Sequence, residues 1–205
     1  MKIKKFRAVR FLILFSHPSQ QSYSAALLKT VKDSLIKNGH QVKIIDLYNE
    51  NFNPVLNIEE WNSYLENTEK NILNLKKHID CLKWAEGLIF IFPTWMYGPP
   101  AILKGWLERA WLPKVAFEIS SGKQNIPMGK LKNISRLCVV TTSGSPRWWL
   151  WFIGNPGKSM LFKGYKILFN KYCKYKWLQL YDMNHTNSSD RERFLTKVSN
   201  YFSSI

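Results

Sequence analysis

The sequence predicts an α/β fold in which a parallel sheet is covered by helices on both faces. Three observations carry this expectation. Short continuous apolar runs, FLILF within residues 7–16 and GLIFIF at residues 87–92, have the composition of strands buried on both sides. Segments with apolar residues at helical spacing lie between such runs. Strand and helix alternate along the chain, which selects a parallel sheet. There is no internal repeat and no low-complexity linker, so the 205 residues read as a single domain, 1–205.

The elements follow in order. Residues 7–16 hold the first strand, and a polar loop spans 17–21. A helix is expected over 22–38, because Leu27, Val31 and Leu35 recur four apart and Gly39 supplies a stop. The second strand is 42–47, and 48–66 reads as an irregular, Asn-rich connection. A helix over 68–85 places Leu75, Ile79 and Leu82 on one face. The third strand is 87–92. Residues 100–111 read as a helix, since proline is tolerated in a first turn. Residues 113–133 form a long excursion with few structural signals. The fourth strand is 135–142, followed by a Trp-rich segment and a basic helix over 158–172. The fifth strand is 177–181. A closing helix over 190–202 is expected to take its N-cap from Ser188 or Ser189.

Composition excludes several classes. A hydrophobic content of 45% rules out disorder across the whole chain. A chain of this size buries about 70% of its unfolded surface, so it needs neither disulfides nor a metal to fold. Cys81, Cys138 and Cys173 show no metal-ligand spacing, and their odd number argues against a disulfide framework. A reducing, cytoplasmic setting is the expectation, with Cys138 in the core. The N-terminus begins like a signal peptide, but its uninterrupted apolar run, residues 11–15, is too short. Residues 87–103 carry no charge, yet Pro93, Pro99 and Pro100 interrupt them and the length falls short of a bilayer. No transmembrane helix is expected.

The net charge is +16, and residues 119–181 hold eleven Lys or Arg and no Asp or Glu. Such a surface attracts phosphorylated ligands or anionic lipid, or is simply the solvated face of a lysine-rich chain. It carries no nucleic-acid motif, so a nucleic-acid partner is not expected. His40 and His78 read as surface residues and His185 as solvent-facing. Glu108 and Asp182 read as structural, pairing with nearby Arg or helix ends.

In open parallel sheets, ligands sit beyond the carboxyl ends of the strands. That rule selects three loops. The loop after strand one, with His17, Ser22, Tyr23 and Ser24, joins a buried strand to a helix start; it is either a phosphate site or a capped helix with a chance histidine. The loop after strand three, Pro93, Thr94, Trp95, Met96 and Tyr97, has the aromatic walls and backbone donors that a flat, partly polar ring needs, or it is an aromatic plug under the 113–133 excursion. The loop after strand four, Thr141, Thr142, Ser143 and Gly144, is small enough for a ring edge to approach the backbone. The Trp run after it, including Trp149, is a lid, a partner surface or both.

These loops carry a resemblance. HPSQQSYSAAL resembles the HPxxxSxNxAL phosphate loop of the NAD(P)H:quinone oxidoreductase family of flavodoxin-like flavoproteins. FPTWMYGPPAILKGWLERAW resembles that family's FPxxWxGxPAxLKGWxERV segment, and TTSG its TTGG loop. The likeness covers residues 7–145 and continues more loosely beyond. It implies a flavodoxin-like doubly wound sheet of order 2-1-3-4-5. It implies that His17, Ser22, Tyr23 and Ser24 hold a flavin phosphate. By the same likeness Pro93, Thr94, Trp95, Met96 and Tyr97 lie along the ring, and Thr141, Thr142, Ser143 and Gly144 lie against its other side.

Ser24 stands where the family often has Asn, and Ser143 replaces a Gly. Trp149 occupies the place of a pocket tyrosine, and the family's later active-site histidine has no counterpart here. Tyr97 and Trp149 are therefore the pocket candidates, and no side chain is assigned a certain catalytic role. The implied activity is two-electron transfer from NAD(P)H through bound FMN, or alternatively FAD, to a quinone-like aromatic acceptor. One shared site implies ping-pong kinetics. A homodimer and peripheral membrane association are expected with it. The competing roles are a regulatory flavoprotein subunit of a membrane ion-efflux system and a flavodoxin-type electron carrier.

Overall fold

The structure, a computed structural model, describes residues 7–118 and 127–205. Five parallel strands form the central sheet: β1 (Arg10–Phe15), β2 (Gln41–Asp46), β3 (Gly87–Pro93), β6 (Arg136–Thr142) and β7 (Lys174–Leu180). Their spatial order is β2-β1-β3-β6-β7, which is the expected 2-1-3-4-5 arrangement. Strand β4 (Phe117–Glu118) pairs antiparallel with β5 (Met128–Gly129) in a small ribbon. The 113–133 excursion thus carries local structure that its sequence did not advertise; residues 119–126 lie outside the described residues.

Side-chain alternation divides the core in two. Leu12, Leu14, Leu88 and Phe90 point to one face, where α4 (Lys76–Trp84) and α5 (Ala101–Ala110) supply Ile79, Leu82, Leu103 and Trp106. Phe11, Ile13, Ile89 and Ile91 point to the other face. There α1 (Tyr23–Lys37) and α8 (Ser188–Phe202) supply Leu27, Val31, Phe194 and Val198. Every residue of β3 is buried, as its unbroken apolar run predicts. Gly105 lets α5 lie directly on the Pro54 backbone: a Cβ there would stand 2.2 Å from the Pro54 carbonyl oxygen.

The helical layer departs from expectation in several places. The 48–66 connection contains a helix, α2 (Ile58–Asn62), closed by a capping box between Asn57 and Glu60. The 68–85 helix is two helices, α3 (Thr68–Asn74) and α4, because Leu75 leaves helical geometry at φ −115° and ψ 24°. The basic helix does not run unbroken over 158–172. The segment is α6 (Arg147–Phe152), α7 (Pro156–Ser159), a π-turn at Met160–Gly164 and a 3-10 turn at Lys166–Leu168. Asn155, in the left-handed region at φ 47°, breaks the path between α6 and α7. The closing helix is capped by Asn187, not by Ser188 or Ser189, in a box with Asp190.

Both histidines expected at the surface are buried. His78 accepts a hydrogen bond from Trp106 Nε1 at 3.0 Å, and burial holds its imidazole below the usual value against the pull of Glu50. His40 accepts from the Val9 N–H at 3.1 Å. Glu108 pairs with Lys104, and Asp182, at the start of the Met183–His185 turn, pairs with His185; neither pairs with an arginine. His185 is exposed, as expected. All three cysteines are free, and burial pushes the Cys138 thiol up to about 11. No helix among the described residues is long and apolar enough to cross a membrane.

Candidate functional site

Strand register brings three chain exits to one level. Phe15 pairs with Ile91, and Pro93 with Thr142. The loops at 16–22, 94–98 and 143–146 therefore leave the sheet side by side.

The first loop ends in the positive end of α1. Ser22 caps it, its Oγ accepting from the Ala25 N–H at 3.1 Å. The N–H groups of Tyr23 and Ser24 precede the first intrahelical bond and point outward at this end. His17 Nδ1 lies 3.0 Å from the Ser19 backbone nitrogen and 3.1 Å from the Ser19 carbonyl oxygen, which ties the ring to the loop through that atom. The loop thus offers several donors and no carboxylate of its own, the chemistry a phosphate requires.

Tyr23 divides into two roles. Its backbone N–H belongs to this donor set, but its hydroxyl donates to the Arg191 carbonyl on α8 at 2.7 Å. Partial burial raises its pKa from 10.0 to about 12, and Tyr175 likewise reaches about 12. A raised folded-state value favours the neutral phenol, so this contribution to stability is complete below pH 10 and is lost as pH climbs through 12. Thermal midpoints should hold steady up to pH 10 and fall between 10 and 12. Tyr23→Phe should make that fall shallower, and an equally steep fall would contradict this assignment.

The second loop is a tight reversal. Trp95 and Gly98 exchange both backbone bonds at 3.0 Å. Between them Met96 (φ 45°) and Tyr97 (φ 64°) both occupy the left-handed region. This is the geometry of a type I′ turn, normally made with Asn-Gly. Holding two bulky side chains there costs on the order of 1–3 kcal/mol each. The surroundings enforce it. The Thr94 N–H donates to the Thr142 carbonyl at 2.7 Å, and the Gly157 N–H to the Tyr97 carbonyl at 3.0 Å. Trp149 Nε1 donates to the Tyr97 hydroxyl at 3.2 Å.

The third loop faces the second across a cleft of about 230 Å³, lined by Thr94, Met96, Tyr97, Ser143, Gly144, Ser145 and Leu150. Thr94 and Thr141 hydroxyls meet at 3.0 Å beneath it. The backbone N–H groups of Met96, Tyr97, Gly144 and Ser145 find no acceptor among the described residues. The cleft therefore has apolar walls and unused donors on two sides. His17 and Trp95, with ring centroids 6.4 Å apart, connect it to the α1 terminus. A larger cavity of about 330 Å³ lies along α5, lined by Tyr64, Trp111 and Tyr165 among others. It is not lined by any residue of the three loops, so the smaller cleft is taken as the candidate site.

The expected residues fall into three positions. Thr94, Met96, Tyr97, Ser143 and Gly144 share the cleft, while His17 and Ser22 to Ser24 surround the helix start. Pro93, Thr141 and Thr142 are buried supports. Trp149 touches the site through Tyr97. Sequence reasoning missed Ser145, Leu150 and Gly157. It also missed Asn184, whose amide nitrogen would stand 3.1 Å from a Cβ at position 144. Leu150 was hidden among tryptophans, and the only cue was that it is the smallest apolar side chain of the run. Among the described residues no group of three His, Cys, Asp or Glu gathers to hold a metal.

Comparison with known proteins places this geometry. A Haemophilus influenzae protein named an uncharacterized NAD(P)H oxidoreductase is 34% identical over 125 residues, covering 60% of this chain and 58% of that one. NAD(P)H dehydrogenase (quinone) 1 of Rattus norvegicus is 29% identical over 154 residues, covering 66% of this chain and 54% of that one. These matches thus span little more than half of each relative. Smu.1420 from Streptococcus mutans superposes with a TM-score of 0.82 at 31% identity, covering 96% of this chain and 100% of that one. The NAD(P)H:quinone oxidoreductase from Methanothermobacter marburgensis shares the fold, with a TM-score of 0.77 at 24% identity and 97% coverage of each chain. A sequence profile described as flavodoxin-like fold matches residues 9–203, and with that match the chain belongs to the flavodoxin-like fold family.

Proposed function

We propose that the chain is an NAD(P)H-dependent oxidoreductase that uses FMN to reduce a quinone-like aromatic acceptor. One observation carries the reading. Three loops converge at the strand ends so that unpaired backbone donors line an apolar cleft beside a positive helix terminus. That donor set fits a phosphorylated flavin. FMN is preferred to FAD because one helix start and one histidine match a single phosphate. A flavin bound there would supply hydride chemistry that no side chain of this cleft can perform alone.

The chain's own residues bind and orient. The N–H groups of Tyr23 and Ser24, with the His17 ring, would hold the phosphate. The turn at Met96 and Tyr97 offers its N–H groups to the polar edge of the ring, and Gly144 and Ser145 offer theirs from the facing wall. Donors fixed in advance in this way would stabilise negative charge on a bound ring without reorganising. Tyr97 and Leu150 keep one side of the cleft apolar, and Trp149 holds the Tyr97 hydroxyl in place. We also propose a homodimer, since a single chain leaves Met96 93% exposed over the cleft.

Anaerobic addition of NADPH to the purified, flavin-loaded protein should bleach its visible absorbance without a separate reductase. A protein that binds flavin but is reduced only through another protein would be an electron carrier instead. The excess of Lys and Arg in residues 119–181 favours phosphate-bearing nicotinamides. The KM for NADPH should therefore rise several-fold between low and high salt, and a salt-independent KM would count against that role.

A further inference from the structure

We propose that the outer face of α6 inserts into the headgroup region of an anionic lipid surface. The sequence of this helix is RWWLWF. Trp148, Trp151 and Phe152 are 67%, 76% and 70% exposed. Their i, i+3, i+4 spacing puts them on one face. The opposite face is anchored, with Leu150 buried at 3% and Trp149 bonded to Tyr97. Three large aromatic side chains thus project from a fixed platform, an apolar patch of the kind that marks an interaction surface.

Charge decides which surface fits. Arg147 on α6, Lys158 on α7 and Lys163 in the following π-turn are exposed and have no carboxylate partner among the described residues. A two-fold contact with a second copy would set this patch against itself. Such a contact would set Arg147 against its own copy, and Asp182, whose N–H bonds Ser145 beside α6, is already paired with His185. Anionic headgroups supply a countercharge. Tryptophan beside Arg and Lys is also the composition favoured where hydrocarbon meets headgroups.

The placement has a consequence for the cleft. Helix α6 follows directly on the 143–146 loop that forms one wall. A lipophilic acceptor dissolved in the lipid would then enter beside the helix without crossing water. This last step rests on the proposed function, whereas lipid binding does not.

The test is co-sedimentation of the full-length protein with vesicles of phosphatidylcholine alone and of phosphatidylcholine mixed with phosphatidylglycerol, without nicotinamide or acceptor. Binding is expected to the mixed vesicles only, with tryptophan emission quenched by lipids brominated on their acyl chains. Changing Trp148, Trp151 and Phe152 together to Ser should weaken binding about tenfold or more and abolish the quenching. Changing Arg147, Lys158 and Lys163 together to Gln should weaken it about a hundredfold.

Equal binding to uncharged vesicles, or full binding by the aromatic variant, would overturn the proposal. So would a native dimer that the aromatic variant turns into a monomer, because that assigns the face to a second copy. The quenching measurement on the native chain stands whether or not a variant folds. Absent lipid binding alongside intact NADPH oxidation sinks only this inference, and lipid binding by an inactive protein sinks only the proposed function.

Discussion

Gly144→Trp is expected to give a folded protein that binds no flavin and oxidises no NADPH. Position 144 does not need glycine for its backbone, since its φ lies outside the left-handed region. A Cβ there meets only the Asn184 amide, at 3.1 Å, and that side chain can turn away. The substitution is therefore tolerated locally. Gly144 itself lines a cleft of only about 230 Å³, shared with the Met96–Tyr97 turn, and an indole attached there is expected to take up that space. The space needed by a planar ring is then filled. The thermal midpoint should stay within a few degrees, while turnover falls by more than about a hundredfold because the chemistry belongs to the bound ring. A yellow, active Gly144→Trp protein would place the ring elsewhere.

Arg109→Met should unfold the protein far more readily than any change in the cleft. Arg109 bonds bidentately to Glu60, donates to the Asn53 carbonyl and stacks 5.2 Å over the Phe52 ring. The two charged side chains are only 12% and 6% exposed. Removing the cation strands a buried carboxylate, which costs about 3–5 kcal/mol. For a chain of this length that is a fall of about 6–20 °C in the thermal midpoint. Glu60→Met combined with Arg109→Met should recover part of the loss, because no lone charge is left behind. The exposed Lys104–Glu108 pair on the same helix is the control: Lys104→Met should cost under about 1 kcal/mol. Similar costs for the two single variants would mean that Glu60 reaches water.

The legible parts of the sequence were those governed by one strong local rule. FLILF and GLIFIF could only be buried strands, and alternation with helices set a parallel order. The three candidate loops are legible because they follow those strands. Burial that depends on distant partners was not legible. His78 looks like a surface residue until Trp106, 28 positions later, is seen to need its nitrogen. The basic stretch at 158–172 has helical composition, but the left-handed Asn155 and the Tyr97 carbonyl that engages Gly157 bend the chain into short turns. Tyr23 reads from sequence only as part of the loop after strand one, and its hydroxyl is claimed by a residue 168 positions away. Leu150, Ser145 and Asn184 join the site only through tertiary packing.

The bond from Tyr23 to Arg191 also bears on how the protein is made. Helix α8 closes over α1 through Phe194 and Val198, and Ser34 meets Ser199 at 3.1 Å. On the ribosome, the strands and loops of the cleft emerge well before residues 188–202. Until those residues arrive, the turn at residues 16–22 lacks the clamp that holds its first helix against the sheet. Under the proposed function, firm capture of FMN is thus a late event in biogenesis, and a nascent chain stalled after β7 should exchange it freely.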